Sequence, residues 1–355
     1  MKAWRLERPG GTLAFSDVPM PKARPGSVLV KIQATPLLSY FKPYVEGKLP
    51  YSPPSETFTP GTNGVGIIEA VGRDVWHLKT GQRVVFSPHF VSGENVDDPA
   101  QILIGLTGFG AASPAVQTDW PDGSLAEYAL APVSTITPAE GLDGFDAAQV
   151  ALLNRFIVPF GGLLRGRLAA GETLIVNGAT GAYGTAAVLL GVAMAAGQVI
   201  AAGRDEGRLD AVVRVGGRRV KPVRMTGDVS TDTAALRSAT GGGAHIAFDM
   251  VGQAADSTAT LASLQSLRRG GRLVLMGSMT VPLSLSYSDI MRNNWEITGQ
   301  FMYPPDAYRR LIEMLRAGLL DISEIRPLCF PLKELMDAAE AAAKATNLEC
   351  VVVQP

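Results

Sequence analysis

The stretch "LIVNGATGAYGTAAV", residues 174 to 188, runs from an apolar strand through a glycine turn into an apolar helix. Gly178, Gly181 and Gly184 fall three apart in it, interleaved with Ala179, Thr180, Ala182 and Tyr183. Ala179 stands where the commonest dinucleotide fingerprint has its first glycine. Each residue type has a physical reason. Gly181 lets the backbone approach a pyrophosphate, Gly184 lets the helix pack closely on the strand, and the helix N-terminus attracts the anion. The segment therefore reads as the phosphate loop of a dinucleotide-binding fold.

Beyond about residue 150, strands alternate with helices: "ETLIVNG", "QVIAAG", "HIAFDMVG" and "GRLVLMGS" are each separated by a helical apolar run. That alternation predicts βαβ units and a doubly wound parallel sheet, an α/β fold. From residue 1 to about 135 the pattern is different, with short strands such as "VLVKIQAT", "GVGIIEAVG" and "SLAEYALAP" between Gly and Pro turns. It predicts a compact β-rich domain. Residues 87 to 123, rich in Gly, Pro, Asp and Ser, read as a surface lobe or an active-site wall. The tail from about Phe301 reads as two helices and a last strand, "ECVVVQ". A chain of 355 residues fits two such domains.

Composition narrows the partners. With 46% hydrophobic and 18% charged residues the chain has the profile of a compact enzyme, and a net charge of -1 argues against nucleic acid or an anionic membrane surface. No apolar signal region opens the chain, and "AAVLLGVAMAAG" is too short to span a bilayer, so a cytoplasmic protein is expected. Cys329 and Cys350, flanked by apolar residues, read as buried inert thiols.

At the end of the second strand of such a fold, an acidic residue binds the 2′-hydroxyl of NAD and a basic one meets the 2′-phosphate of NADP. Here "VIAAGRDEGRL" places Gly203 and Arg204 there, with Arg208 a turn later, which favours NADPH. The competing reading gives the ribose to Asp205, although Asp205 also suits the N-cap of the next helix. Two further strand-end loops, "FDMVG" with Asp249 and Val251 and "LMGSM" with Gly277 and Ser278, fall where an open parallel sheet contacts its ligand. Asp249 is either a cofactor contact or a turn-forming residue.

The whole chain resembles the medium-chain dehydrogenase/reductase superfamily. The resemblance is carried, in family order, by "PGTNGVGIIEAVG", "GQRVVF", "DGSLAEYALAP", "NGATGAYG", "FDMVG", "GGRLVLMGS" and "NNWEITGQF". It implies a GroES-like catalytic domain, residues 1–155 and 300–355, around a Rossmann NADP-binding domain, residues 156–299. It also implies a homodimer through an edge strand, with "LVLMGSMTVPLSLS" as the candidate segment. In "NNWEITGQFMYPP" the family pattern brings Asn293 or Asn294 and Gln300 toward the nicotinamide, with Phe301 and Tyr303 nearby and Trp295 in the core or at the dimer surface.

Zinc alcohol dehydrogenases of this superfamily hold their catalytic metal with a cysteine from an N-terminal loop, a His-Glu pair after a glycine, and a third ligand ahead of the cofactor domain. At those places this sequence has Leu38 and Ser39, then Thr62 and Asn63, then Asn154. None is a zinc ligand, so no metal is expected. The lobe that carries four structural-zinc cysteines in those enzymes has none here; His89 and Glu94 cannot make a site alone, and His77 and His245 fall elsewhere.

Without a Lewis acid, hydrogen-bond donors must meet the charge that develops on the substrate. Tyr40 is the first candidate, as proton donor or as aromatic wall. Tyr44 is the second, in "KPYVEG", a segment similar to "DPYMRG" of alkenal double-bond reductases. Thr62, Asn63 and Asn154 are uncharged donors, and Arg155 is a buried pair-maker or a substrate contact. The expected function is reduction of an enone, an enal or a quinone by NADPH. A metal-free carbonyl reductase or secondary alcohol dehydrogenase is the rival; a non-redox lyase or cofactor-binding sensor is the alternative from another class.

Overall fold

The computed structural model describes residues 1–355, which divide into two units. The first comprises Met1–Asn154, Ile325–Ala345 and Glu349–Pro355; the second comprises Arg155–Glu324 and Thr346–Leu348.

In the first unit, β1 (Lys2–Leu6) and β2 (Leu13–Asp17) form a hairpin. The long strand β3 (Ser27–Pro36) follows, then a short helix α1 (Phe41–Val45) and strands β4 (Gly64–Val71) and β5 (Arg83–Phe86). Val28, Val30 and Ile32 of β3 pack with Ile68, Val84, Phe86 and Ala129, the alternation that a half-covered strand requires. The Gly- and Pro-rich lobe has more order than its sequence suggests: β6 (His89–Val91), β7 (Gln101–Leu103) and β8 (Thr107–Phe109) make a three-stranded sheet, followed by α2 (Ser113–Asp119). Ile102, Leu103, Ile104 and Leu106 supply its buried face. Arg24 lies over the Trp120 ring at 4.3 Å, and Ser52 ties the lobe down through Thr107 Oγ1 (2.9 Å) and Gln117 Nε2 (2.9 Å). Strands β9 (Tyr128–Pro132) and β10 (Ile136–Pro138) and helix α3 (Ala147–Ala151) complete this part.

Helix α4 (Leu153–Arg165) leads into the second unit. Together α3 and α4 form a helical run long and apolar enough to cross a bilayer, longer than the segment the sequence singles out; most of it is buried within the protein, as in a core helix. The second unit then alternates: β11 (Thr173–Asn177), α5 (Ala182–Ala193), β12 (Gln198–Gly203), α6 (Glu206–Gly216), β13 (Val220–Arg224), α7 (Val229–Thr240), β14 (Ala244–Asp249), α8 (Thr258–Gln265), β15 (Leu267–Leu275), α9 (Tyr287–Asn293), β16 (Glu296–Gly299) and α10 (Ala307–Arg316). The six strands are parallel, in the order β13-β12-β11-β14-β15-β16. The order reverses between β11 and β14, the place where doubly wound sheets bind dinucleotides.

Residues 300–324 belong to this second unit, not to the first as the family pattern implies. The reason is packing: Tyr303 lies against Gly161 of α4, Tyr303 and Tyr308 meet edge-on at 5.7 Å, and Arg310 lies over Phe160. The remaining tail, β17 (Arg326–Pro331), α11 (Leu335–Lys344) and β18 (Glu349–Gln354), returns to the first unit, where the large sheet runs β10-β5-β4-β3-β18-β17 with β9 also on β3. Because β17 is the edge strand, Cys329 is exposed and Cys350 half-buried; neither is the buried thiol expected.

Backbone contacts fix the turn before β4. Gly61 has φ of +110°, and a Cβ on Gly123 would sit 1.9 Å from its carbonyl oxygen. Gly123→Ala should therefore destabilise by about 1–3 kcal/mol. Gly144→Ala, where a Cβ meets nothing within 4 Å, should leave the urea midpoint unchanged.

Candidate functional site

In the second unit, β11 is locked in the core, with Leu174, Ile175 and Val176 all 0% exposed, so the loop that follows starts from a fixed point. Gly178 turns the chain at φ +78°, and Gly181 is the N-cap of α5. A Cβ on Gly184 would lie 2.0 Å from the Gly178 carbonyl oxygen, so the first turn of the helix sits directly on the turn. No side chain caps α5 and no acidic residue occupies its first turn. The N–H groups at this end carry the positive pole of the helix and are suited to a phosphate. Thr185 Oγ1 donates to the Ala179 carbonyl (3.0 Å), and buried Arg155 donates through Nε to the Ala182 carbonyl (3.1 Å), which makes Arg155 a fastener of this loop.

Gly203 ends β12 beside Thr180, and a Cβ there would meet Thr180 Cγ2 at 2.6 Å. Its small size thus has a packing reason of its own, and the NADPH reading passes to the arginines. Arg204 and Arg208 are exposed. Asp205 is engaged as the N-cap of α6, accepting from the Arg208 N–H at 3.0 Å. Arg224, paired in register with Gly203 at the end of β13, adds a third guanidinium at this corner, held by Glu206 at 2.9 Å.

Asp249 proves to be the turn-forming residue. It is 3% exposed; one carboxylate oxygen accepts from the Val251 N–H (2.8 Å) and the other from the Thr260 hydroxyl. Burial pushes its carboxyl up, while the bonds from Thr260, Val251 and Asn177 oppose that. Both oxygens are thus engaged within the protein, which gives the side chain a structural role at this turn. Its carbonyl also accepts from Met276 N–H and Gly277 N–H, which fastens the loop of Val251 to that of Gly277 and Ser278. Gln300 follows β16, its N–H on the Leu275 carbonyl (3.1 Å) and its side chain on the Phe301 carbonyl (2.9 Å). Asn293 and Asn294 serve the end of α9: Asn293 Nδ2 donates to the Asp289 carbonyl and Asn294 adopts the left-handed conformation that stops the helix. Trp295 packs on the sheet core with Nε1 on the Arg268 carbonyl (3.0 Å), and His245 receives the Thr173 N–H (3.0 Å) at the N-terminal edge of the sheet, opposite the strand ends that face a ligand in such folds.

The first unit contains an apolar recess lined by Leu37, Leu38, Phe41 and Leu106, with hydroxyls contributed by Tyr40 and Thr62. Tyr40 is half-buried at the N-terminus of α1; Thr62 and Asn63 are both 6% exposed and Asn154 7%. Tyr44 also borders the recess, but its hydroxyl donates to the Leu106 carbonyl at 2.8 Å and the residue is 1% exposed. Its proton is spent inside the protein. Tyr44 is a strut between α1 and the lobe.

Two family models divide the chain: residues 24–141 match the alcohol dehydrogenase GroES-like domain and residues 182–317 the zinc-binding dehydrogenase domain. The chain belongs to the medium-chain dehydrogenase/reductase superfamily. It is 26% identical over 347 residues to a sorbitol dehydrogenase of Bacillus subtilis (strain 168), covering 96% of this chain and 93% of the relative. It is 27% identical over 350 residues to a quinone oxidoreductase of Sus scrofa, covering 96% and 92%. The crystal structure of 2R,3R-butanediol dehydrogenase from Bacillus subtilis superposes with a TM-score of 0.82 at 20% identity, covering 100% of this chain and 99% of that one. The protein is thus an oxidoreductase of a family that binds NAD(P).

The two groups this family implies fare differently against the residues present. The cradle at Gly178–Gly184, closed to a Cβ at Gly184 and open at an uncapped helix end, fits a dinucleotide pyrophosphate. Zinc does not fit. Leu38, Ser39, Thr62, Asn63 and Asn154 offer aliphatic carbon, hydroxyl and amide where tetrahedral zinc takes thiolate, imidazole or carboxylate. Nowhere in the chain do three His, Cys, Asp or Glu side chains gather as a metal-holding group.

Two residues here escape the sequence reading. Asn347, 3% exposed in a tail segment, donates to Thr185 Oγ1 (3.2 Å) and to the Arg208 carbonyl (3.4 Å), clasping α5 to α6. Its signal is tertiary and no local pattern carries it. Arg224 was readable only from the end of the third strand, "VKPVR".

Burial raises the Tyr44 phenol above its ordinary 10.0, so the folded chain holds this proton more tightly than the unfolded one. That contribution is complete below about pH 10 and is lost as pH rises beyond it. Stability measured by urea unfolding should fall above about pH 10, and Tyr44→Phe should flatten the fall. At neutral pH the same variant should cost about 1–3 kcal/mol by stranding the Leu106 carbonyl.

Proposed function

We propose that the protein is a zinc-independent, NADPH-dependent reductase that delivers a hydride to the β-carbon of an enone or enal, or to a quinone. The observation that carries this reading is the recess: apolar walls, hydroxyls from Tyr40 and Thr62, and no carboxylate, imidazole or thiolate. Such a surface suits an uncharged, largely apolar acceptor better than the polyol named by the sorbitol dehydrogenase relative. A conjugated acceptor tolerates weak activation, because its developing negative charge spreads onto the carbonyl oxygen and two hydroxyl donors can meet it.

NADPH, when bound, supplies the hydride. The backbone N–H groups at Gly181–Gly184 hold the pyrophosphate, and Arg204, with Arg208 and Arg224 near it, meets the 2′-phosphate. Thr62 and Tyr40 orient the carbonyl by donating to its oxygen, and Tyr40 gives the proton that completes reduction. The same neutral donors suit a metal-free carbonyl reductase, and the ordered lobe at residues 87–123, a feature shared in length and position with zinc alcohol dehydrogenases, supports that second reading.

A panel of enones, enals and quinones against simple ketones, followed by NADPH absorbance, separates the two. Turnover of the conjugated acceptors is expected, and turnover of ketones alone would sink the proposal. Elemental analysis should find no stoichiometric zinc; its presence with activity lost on chelation would overturn metal independence. Arg204→Ala should weaken NADPH by about tenfold or more while sparing NADH, on the order of one charge-assisted bond. Equal loss of both cofactors in a binding titration would remove the 2′-phosphate role.

A further inference from the structure

Three tyrosines converge at one end of the recess, and the third of them, Tyr51, belongs to no motif. Its ring stands edge-on to Tyr40, with centroids 6.4 Å apart and planes at 80°, and tilts against Tyr44 at 5.9 Å. The Tyr40 and Tyr51 hydroxyls are hydrogen-bonded to each other, and either oxygen can act as donor or acceptor.

Tyr51 is also held in place from below. Its N–H donates to the Leu49 carbonyl at 2.8 Å. The adjacent Ser52 is fixed on the lobe by three bonds: its N–H to Thr107 Oγ1 (2.9 Å), and its carbonyl from Gly108 N–H (2.8 Å) and from Gln117 Nε2 (2.9 Å). A loop residue anchored in this way is pre-organised, and the ring it places is half-buried, between the recess and solvent. The titratable groups that face it are Tyr40 and Tyr44, and Tyr44 is committed to the Leu106 carbonyl.

We propose that Tyr51 is the positioning residue for Tyr40 and the second hydroxyl of a two-tyrosine proton line. The proposal rests on the reading of Tyr40 as proton donor. With acceptor bound, Tyr51 donates to the Tyr40 oxygen and so fixes the phenol in one rotamer, with the Tyr40 O–H directed at the substrate carbonyl. As the hydride adds to the β-carbon, the π pair of the acceptor moves to form an enolate. The Tyr40 O–H bond breaks, its proton forms the new bond to the enolate, and a phenolate remains on Tyr40. The Tyr51 hydroxyl, already donating to that oxygen, passes it a proton, and water reprotonates Tyr51. The net uptake is one hydride and one solvent proton, with no further oxidant or reductant.

Tyr51→Phe keeps the ring packing and removes only the hydroxyl, so it is the informative variant. In cofactor-free protein, ultraviolet titration of phenolate, with Tyr40 identified by difference from Tyr40→Phe, should show Tyr40 ionising at higher pH in Tyr51→Phe, because its phenolate has lost a donor. In steady-state assays kcat should fall on the order of tenfold with KM nearly unchanged, and the alkaline limb of the pH profile should move with the titration. Unaltered titration and kcat in Tyr51→Phe, with Tyr40→Phe impaired, would overturn the proton line alone. Full activity in Tyr40→Phe would overturn the donor reading and the line together.

Discussion

The second unit is organised by the approach of one helix to one strand end, where the α-carbon of Gly184 lies so near the Gly178 carbonyl that no side chain can intervene. That contact sets the tilt of α5, and the tilt brings the open N–H groups of its first turn over the point where the strand order reverses. The neighbouring loops are then fastened to the same place by polar groups inside the protein. Thr180 packs on Gly203, Asp249 ties the ends of β14 and β15, and Asn347 holds α5 to α6. Several of the residues that motif reasoning gives to a ligand are spent on this scaffolding, which makes the surface left for the ligand largely backbone and arginine.

The first unit solves a different problem. Zinc relatives concentrate charge at their reacting centre, whereas here the equivalent positions are hydroxyl, amide and aliphatic carbon. A neutral recess imposes little desolvation cost on an apolar substrate, yet each hydroxyl within it acts with greater effect than it would in water. The side chains around Tyr40 hold its ring, with Tyr51 edge-on to it at 6.4 Å.

Much of this was legible in the sequence, for identifiable reasons. Strand-turn-helix punctuation at Gly178–Gly184 is local, and so were the parallel sheet and the division into a β-rich and an α/β part. The substitutions at Thr62, Asn63 and Asn154 were readable because the glycine turn and strand around them keep the family pattern. What failed to show was whatever depends on a distant partner. Tyr44 and Asp249 look like reactive groups in isolation, and only the Leu106 carbonyl and the Thr260 hydroxyl reveal that their polar atoms are occupied. Residues 300–324 carry no mark of the unit they join, because the contact that decides it is Tyr303 against Gly161. Tyr51 and Asn347 are invisible for the same reason.

The place of β18 in the first unit's sheet bears on how the chain is made. It lies between β3 and β17, and its residues leave the ribosome only after strands β11 to β16, which separate it from β3 in the sequence. The central sheet of that unit must therefore wait, with the end of β3 at Thr35 and Pro36 incomplete, until β18 has been made. Strands β11 to β16 pair within a continuous stretch and can assemble during the delay. Assembly order can thus be reversed relative to chain order: the sheet of β11 to β16 can close before the sheet of β3, although β3 precedes it in the sequence. The end of β3 at Thr35 and Pro36, left unpaired for that interval, is the point at which aggregation of this protein would originate.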